Sequence, residues 1–327
     1  MKHNFSHIGL AKLCGWFGIS RQAYYSYTWR AFEESNKEHI IIDKVKEIRE
    51  NHPRLGTRKL FDMLQPFFRE HQIKIGRDAL FNMLYINHLL VRKRKRRIST
   101  TNSYHRFRKY PNLIRNLTPT AINQLWVSDI TYWKIEEKHV YISFITDVYS
   151  HKIVGYHVAQ TLETIESIQA LKMALNNLKT KSEQLIHHSD RGIQYCSNSY
   201  VKLLQDYNVK ISMTENGDPL ENAVAERVNG IIKEEYLQNY DVKNIREAKK
   251  VLSFVVKLYN EERPHNSISN YVPNEVYENS SLKTKRLWKN YYKKQDSINN
   301  SEISNSNCSV PLRSTSQLEF ENKNVNL

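Results

Sequence analysis

The 327-residue chain has only three cysteines, Cys14, Cys196 and Cys308, far apart and with no Cys-x-x-Cys pair. That scarcity excludes a disulfide framework and a cysteine-built zinc site. Histidines are commoner, at 13, but none falls into the His/Cys spacing of a zinc module. No apolar run is long enough to cross a bilayer, and Met1-Lys2-His3-Asn4 leads into no signal-peptide core. No self-similarity at a period of about 20–50 residues suggests a solenoid. The expectation is an intracellular, reduced protein with no membrane partner.

Acidic residues are also too few to balance the basic ones. The formal charge is +15, and its distribution is more informative than its total. Residues 1–115 hold 24 Lys and Arg against 9 Asp and Glu, whereas residues 116–327 hold 25 of each. The whole excess lies in the N-terminal third. A merely soluble basic protein would spread it evenly. The asymmetry points instead to a module that grips nucleic acid, attached to a near-neutral body.

An apolar content of 40% can fill real cores, and the length suits two or three domains. Leu10–Phe17 reads as a short helix, Gly18-Ile19 as a turn, and Ser20 as the N-cap of a second helix carrying Arg21, Gln22, Tyr24 and Tyr25. This is a helix-turn-helix pattern, assigned to residues 1–32. Residues 36–98 read as a second helical, helix-turn-helix-like DNA-binding domain. A charged helix from Asn36 to Arg49 is broken at His52-Pro53, Thr57 caps another, and a third opens at Gly76-Arg77. Arg58, Lys59 and Arg77 stand at helix starts, where phosphate contacts are favoured, although exposed helix charge reads the same way. The domain ends in six consecutive cations, Arg92, Lys93, Arg94, Lys95, Arg96 and Arg97. They repel one another too strongly for a structural role and suit DNA phosphates. A linker follows at 99–119.

Residues 120–280 alternate. Strands are expected at 126–132, 140–147, 153–158, 184–190 and 209–213, with helices at 164–177 and 199–207 and another from about Leu220. Three meandering strands followed by alternating helices and strands make an α/β order with a mixed sheet. A basic-aromatic helix is expected at 281–294 and a Ser/Asn-rich disordered tail at 295–327.

Three carboxylates sit in contexts that suit metal ligands. Asp129 lies in the strand-like Trp126-Val127-Ser128-Asp129-Ile130-Thr131-Tyr132. Asp190 ends Leu185-Ile186-His187-His188-Ser189-Asp190, just before the turn signal Arg191-Gly192. Glu226 lies in a helical run from Glu221 to Lys233. At about 100° per residue, Asn222, Glu226, Asn229 and Lys233 share one face, with Val224, Val228 and Ile231 on roughly the opposite one. With 34 acids in 327 residues, spacing alone is weak evidence, and a lone Glu on such a helix is usually a solvated face. Two strand-borne aspartates together with it suit hard divalent cations, which need oxygen ligands. Asp147 reads as a hairpin-turn residue. Arg263 either holds DNA or caps its helix.

Taken together, Trp126-x-x-Asp129-Ile130-Thr131-Tyr132, His187-His188-Ser189-Asp190-Arg191-Gly192-x-Gln194-Tyr195 and Glu221-Asn222-Ala223-x-x-Glu226-x-x-Asn229-x-x-x-Lys233 resemble the DDE integrase-type core. More narrowly, they resemble the OrfB transposases of bacterial insertion sequence family three. Tyr104-His105, Tyr110-Pro111-Asn112-Leu113-Ile114 and Tyr259-Asn260-x-x-Arg263-Pro264-His265 extend the likeness, which runs from about Leu10 to Tyr277. It implies an RNase H-like fold, a mixed five-stranded sheet with flanking helices, preceded by an all-α N-terminal region.

The implied activity is metal-dependent cleavage of DNA strands at element ends and their transfer to target DNA. By position, Asp129, Asp190 and Glu226 match the family's catalytic and metal-binding triad, and Lys233 its lysine seven residues on. Two Mg²⁺ ions are expected, with Mn²⁺ able to substitute, and Lys233, Asn222 and Asn229 would hold phosphates nearby. The implied partners are double-stranded DNA, further copies of the chain on it, and an upstream OrfA product as fusion or subunit. The implied location is the bacterial cytoplasm, at the nucleoid when DNA-bound. The chain starts at Met1 without a heptad run, so the expectation is that it forms the catalytic part. A nuclease without strand joining and a non-catalytic DNA-binding regulator are the competing classes.

Overall fold

A computed structural model of the chain describes residues 7–91, 106–136, 138–178, 184–215, 219–279, 281, 282 and 284. The basic run Arg92–Arg97, nearly all of the helix expected at 281–294, and the tail at 295–327 lie outside the described residues.

The N-terminal part is all helix. The first helix, α1 (Leu10–Trp16), turns at Gly18, whose φ of 65° costs glycine nothing. The Ser20 hydroxyl then accepts a 3.0 Å hydrogen bond from the Ala23 N–H and caps α2 (Arg21–Asn51). The sequence closes one segment at residue 32 and opens the next at 36, but α2 runs unbroken through both. It contains no glycine or proline, so nothing interrupts its hydrogen-bond ladder before His52-Pro53. Ile41, Ile42 and Val45 are its buried side chains. They pack with Leu60 of α3 (Thr57–Met63), Phe68 of α4 (Gln65–Glu70) and Leu80 and Leu84 of α5 (Arg77–Ile86). Gly56, and not Thr57, caps α3; Thr57 is its first helical residue.

Five strands form one sheet in the order β3-β2-β1-β4-β5. A meander of β1 (Leu125–Ile135), β2 (Lys138–Asp147) and β3 (Ile153–Ala159) is antiparallel. The helix α6 (Thr164–Asn176) leads to β4 (Ile186–Ser189), which pairs parallel with β1. Two helices, α7 (Ile193–Cys196) and α8 (Asn198–Asp206), lead to β5 (Lys210–Met213), parallel to β4. These parallel pairs need helical crossovers, and the chain supplies them.

Both faces of the sheet are covered. Trp126, Ile145 and Val154 pack with Ala170 and Leu171 of α6 and Leu204 of α8. On the other face Val140, Ile142 and Phe144 of β2, spaced by two, meet Val228 of α9 (Ala223–Ile231) and Leu252 and Val255 of α10 (Ile245–Glu261). Each such side chain contributes roughly 1.5–3 kcal/mol by leaving water. A π-helical turn, Ile232–Tyr236, follows α9, and α11 (Pro273–Glu278) ends the described helices.

The helical region is tied to the core by polar contacts. His52, just past α2, meets the Tyr236 hydroxyl at 2.9 Å and the Glu262 carboxylate at 3.1 Å. Burial lowers the His52 pKa, so the neutral ring donates from Nε2 to Glu262 and accepts the Tyr236 O–H at Nδ1. Lys59 of α3 approaches Glu235 at 3.9 Å.

Gly155 of β3 is where α6 comes closest. A Cβ there would overlap the Ala170 carbonyl oxygen and stand 2.9 Å from the Ala174 Cβ. Gly155→Ala is therefore expected to destabilise the core by about 1–3 kcal/mol, the usual cost of overpacking, read as a lower urea midpoint at unchanged m-value. Wild-type stability in that variant would mean that α6 sits less tightly than described.

Candidate active site

The register of β1 and β4 decides where the carboxylates meet. Val127 pairs with His188, and Asp129 and Asp190 lie two residues beyond each. Because side chains alternate along a strand, equal even offsets put both acids on one side of the parallel pair. Asp190 is fixed locally: its Oδ1 accepts a 3.0 Å hydrogen bond from the Gly192 N–H. A Cβ on Gly192 would lie 2.9 Å from that same oxygen, so glycine is what lets the chain turn this close to the carboxylate.

Glu226 stands in the first turn of α9, exposed beside them. Two asparagines strap this helix to β1. The Asn222 amide donates to the Ser128 carbonyl at 3.1 Å, and the Asn229 amide to Asp129 Oδ2 at 2.8 Å. Both asparagines are buried, and their amide oxygens have no partner among the described residues. Their donor groups are thus spent on β1 and not held out towards solvent. Lys233 lies in the π turn, its Nζ 3.5 Å from the centroid of the Tyr132 ring.

The three acids feel one another. The Asp129 carboxyl is pushed up to about 7, first by burial, then by the negative charge of Asp190 and, more weakly, Glu226; hydrogen bonds from the Ile130 N–H and Asn229 pull the other way. The Tyr195 hydroxyl is buried without a hydrogen-bond partner among the described residues, and burial, Tyr200 and then both aspartates raise its pKa.

An all-oxygen donor set around a site that already disfavours its own negative charge fits a hard divalent cation. The shell is open: among the described residues no three His, Cys, Asp or Glu side chains stand ready as a metal cage.

The neighbouring histidines have another task. His187 bonds the Ser128 hydroxyl of β1 at 2.6 Å and the Tyr200 hydroxyl at 3.1 Å, and His188 Nδ1 bonds the Ser212 hydroxyl of β5 at 2.8 Å. Burial holds them down to about 3 and about 4, so both rings are neutral near pH 7. They pin β4 between its neighbours and are not proton shuttles. In the sequence both histidines stand only as letters of the Asp190 motif; the signal for their role is the alternation of β4 between two parallel strands.

The remaining residues singled out in the sequence are dispersed. Arg21 is exposed at the start of α2, and Arg58 and Arg77 are exposed on α3 and α5. Lys59 is half-buried against Glu235. Asp147 is a turn residue: its carboxylate accepts from the Asn123 N–H, the Ser150 N–H and the Ser150 hydroxyl. Arg263 is fully buried and donates to Glu235 through Nε at 2.8 Å and Nη2 at 2.7 Å. Glu221, to which the sequence assigns no task, is buried and accepts from Asn112 Nδ2 and the Glu215 N–H, tying the linker to the start of α9.

Two models of an integrase core domain match residues 119–219 and 207–273. The sheet and its crossovers thus belong to an integrase core domain, an α/β domain with a mixed five-stranded sheet. A 31 kDa protein of insertion element IS600 from Shigella sonnei is 34% identical over 80% of this chain and 96% of its own length. The transposase of insertion sequence element IS629 from the same organism is 31% identical over 65% of this chain and 70% of its own length. The putative transposase InsK of element IS150 from Escherichia coli is 26% identical over 75% and 85%. Among solved structures, the catalytic core of HTLV-2 integrase in complex with magnesium aligns at 19% identity, over 48% of this chain and 97% of its own, with a TM-score of 0.40. The chain belongs to the transposases of bacterial insertion sequence family three.

Two outcomes test the geometry. In metal-free protein the native Asp129 keeps its proton up to about pH 7, whereas the unfolded chain loses it near 3.8. The native state therefore binds more protons between these values, and this group's stabilising contribution is lost as pH rises through them. Asp129→Asn lacks that term, so in EDTA its stability relative to wild type should improve steadily from pH 4 to 7 and then level off, as followed by thermal unfolding. A gap independent of pH would show that folding leaves the Asp129 pKa unshifted. Gly192→Ala is expected to lower strand cleavage by at least about tenfold by displacing the Asp190 carboxylate, since small misplacements in a catalytic site can cost about 100-fold. Unchanged cleavage would remove Asp190 from the chemistry.

Proposed function

We propose that Asp129, Asp190 and Glu226 are the catalytic triad of this transposase and hold a pair of Mg²⁺ ions, which Mn²⁺ can replace. The observation that carries this reading is the approach of three carboxylates from β1, the end of β4 and α9, with Asp129 raised by burial and then by the charges of Asp190 and Glu226. When bound, the paired cations lower the pKa of the attacking hydroxyl and neutralise charge at the reacting phosphate.

The chain's own residues position the rest. The Ile130 N–H and Asn229 orient Asp129, and the Gly192 N–H orients Asp190. Glu226, exposed on α9, is the ligand that completes the shell. Lys233 leaves the Tyr132 ring to meet a phosphate. A cation–π contact is worth only about 0.5–1 kcal/mol at exposed sites, so a charge-assisted bond to phosphate wins. Asn222 and Asn229 act on DNA through β1 and the helix they strap to it. Water attacks a phosphodiester at the element's end and leaves a 3′-hydroxyl, which then attacks a target strand. Phosphoryl transfer of this kind depends on positioning and charge neutralisation and needs no covalent protein–DNA intermediate.

The substrates are the double-stranded element ends and target DNA at the nucleoid. The N-terminal helices and the run Arg92–Arg97 supply the electrostatic grip, and an upstream OrfA product, as fusion or subunit, joins the chain in a multimer on DNA. A nuclease without strand joining is separated from this reading by the fate of a pre-cut end.

The test uses labelled DNA carrying the element's own ends, with Mg²⁺ or Mn²⁺, and compares wild type with Glu226→Gln. Metal-dependent cleavage and joining by wild type, reduced at least about a thousandfold in the variant, is the expected result. Equal product from both proteins would remove Glu226 from the site.

A further inference from the structure

A cavity of about 980 Å³ opens between the helical region and the catalytic core, behind the helix that carries Glu226. Five cations line it: Arg58, Lys59, Arg77, Arg227 and Arg263. Against them the lining offers one carboxylate, Asp78. Arg263 is committed to Glu235 at 2.7 Å, Lys59 shares that same carboxylate, and Arg77 meets Asp78 at 3.1 Å. Arg58 and Arg227 are exposed and make no ion pair among the described residues. The cluster is under-neutralised, and Lys59 registers it: burial and then the charges of Arg263 and Arg227 lower its pKa to about 8 despite the pull of Glu235. Phe81 of α5, Val224 of α9 and Ile268 give it apolar walls beside the buried, already paired Arg263.

We propose that this cleft takes an unpaired stretch of DNA, one or two nucleotides long, with phosphates on Arg58 and Arg227 and a base against the apolar walls. The inference rests on the transposase reading and adds the kind of DNA that the joint between the two regions binds. Cations beside apolar walls is the arrangement used for single strands, where charge follows the backbone and flat walls receive bases. Size argues against a duplex, whose major groove alone is about 12 Å wide; a cavity of this volume falls within the range of small-ligand pockets. Arg227 directly follows Glu226, about 100° around the same helix. A strand leaving the cleft along α9 therefore arrives at the three carboxylates, and the other strand of the duplex is kept out of their way.

Metal-free binding tests this without any cleavage. The full chain is titrated by fluorescence anisotropy with a labelled blunt duplex and with the same duplex bearing a short unpaired extension, across a range of salt. Wild type is expected to bind the extended probe several-fold more tightly. Arg58→Ala with Arg227→Ala should abolish most of that advantage and lower the log–log salt slope for the extended probe by about 1.4, at about 0.7 for each single-strand phosphate that no longer meets a cation. Arg58→Lys with Arg227→Lys should keep the slope. Val224→Trp, which fills the interior and keeps every cation, should lose the advantage at unchanged affinity for the blunt probe. Equal binding of both probes by wild type, or an advantage that survives both the double alanine variant and Val224→Trp, overturns the proposal. The proposed triad fails separately, if Glu226→Gln still cleaves.

Discussion

Three carboxylates brought together at the middle of a sheet repel one another, and much of the surrounding structure resists that repulsion. Raising Asp129 from 3.8 to about 7 corresponds to a penalty on the order of a few kcal/mol for its charged form, at about 1.4 kcal/mol per unit. A domain of this size is stable by only about 5–15 kcal/mol in all. The strain is tolerable because the acids are carried by rigid elements. Asp129 is held by its pairing with Phe144 of β2 and by the Asn229 amide, Asp190 by its turn, and Glu226 by a helix that buries Ala225, Val228 and Ile231. Divalent cations held there, as proposed, would offset that repulsion.

The helix bearing Glu226 has to be held from more than one side, and a buried ion pair does part of this. Arg263, with no exposed surface, makes a bidentate bond to Glu235 in the π turn that ends α9. Such a pair adds little net stability because both groups lose their hydration, but breaking it leaves an unpaired charge inside the protein. Its effect is to fix geometry. The π turn also brings Tyr236 against His52 and Glu235 towards Lys59, both from the helical region. The end of the Glu226 helix is thus also the joint with the N-terminal helices, and π turns recur at functional sites. A change in how the helical region sits acts first on that turn and then on α9.

Much of the core was legible in the sequence. β-Branched and aromatic runs ended by turn residues mark β1 and β4, and the three acids stand out by context: Asp129 within an apolar strand run, Asp190 at the end of one, and Glu226 on the polar face of a helix. What stayed hidden depends on partners remote in sequence. Asn222 and Asn229 share a helical face with Glu226 and Lys233, which suggests phosphate contacts; only the approach of α9 to β1 shows their amides bonded to Ser128 and Asp129. Lys233 keeps its place in the pattern, but a π turn adds its own rotation and sets it over Tyr132. Arg263 reads as a DNA contact or a cap until Glu235 is found beside it. Local rules also miss the length of α2, which runs through the boundary expected between residues 32 and 36 because no glycine or proline interrupts it.

The division of charge along the chain has a mechanistic consequence. The formal excess of +15 lies wholly in residues 1–115, while the region with the acids is balanced. At the proposed site, a DNA strand approaching Asp129, Asp190 and Glu226 without metal would meet net repulsion. Attraction must therefore come from elsewhere on the chain, and it is long-ranged, salt-sensitive and largely indifferent to sequence. Binding energy gained there is the same before and during the reaction, so it raises occupancy but does not lower the chemical barrier. Barrier lowering is left to the few groups whose contacts change as the phosphate is attacked. The two tasks can then be tuned independently, with α9 as the element common to both: Arg227 turned to the cationic cleft and Glu226 beside the aspartates.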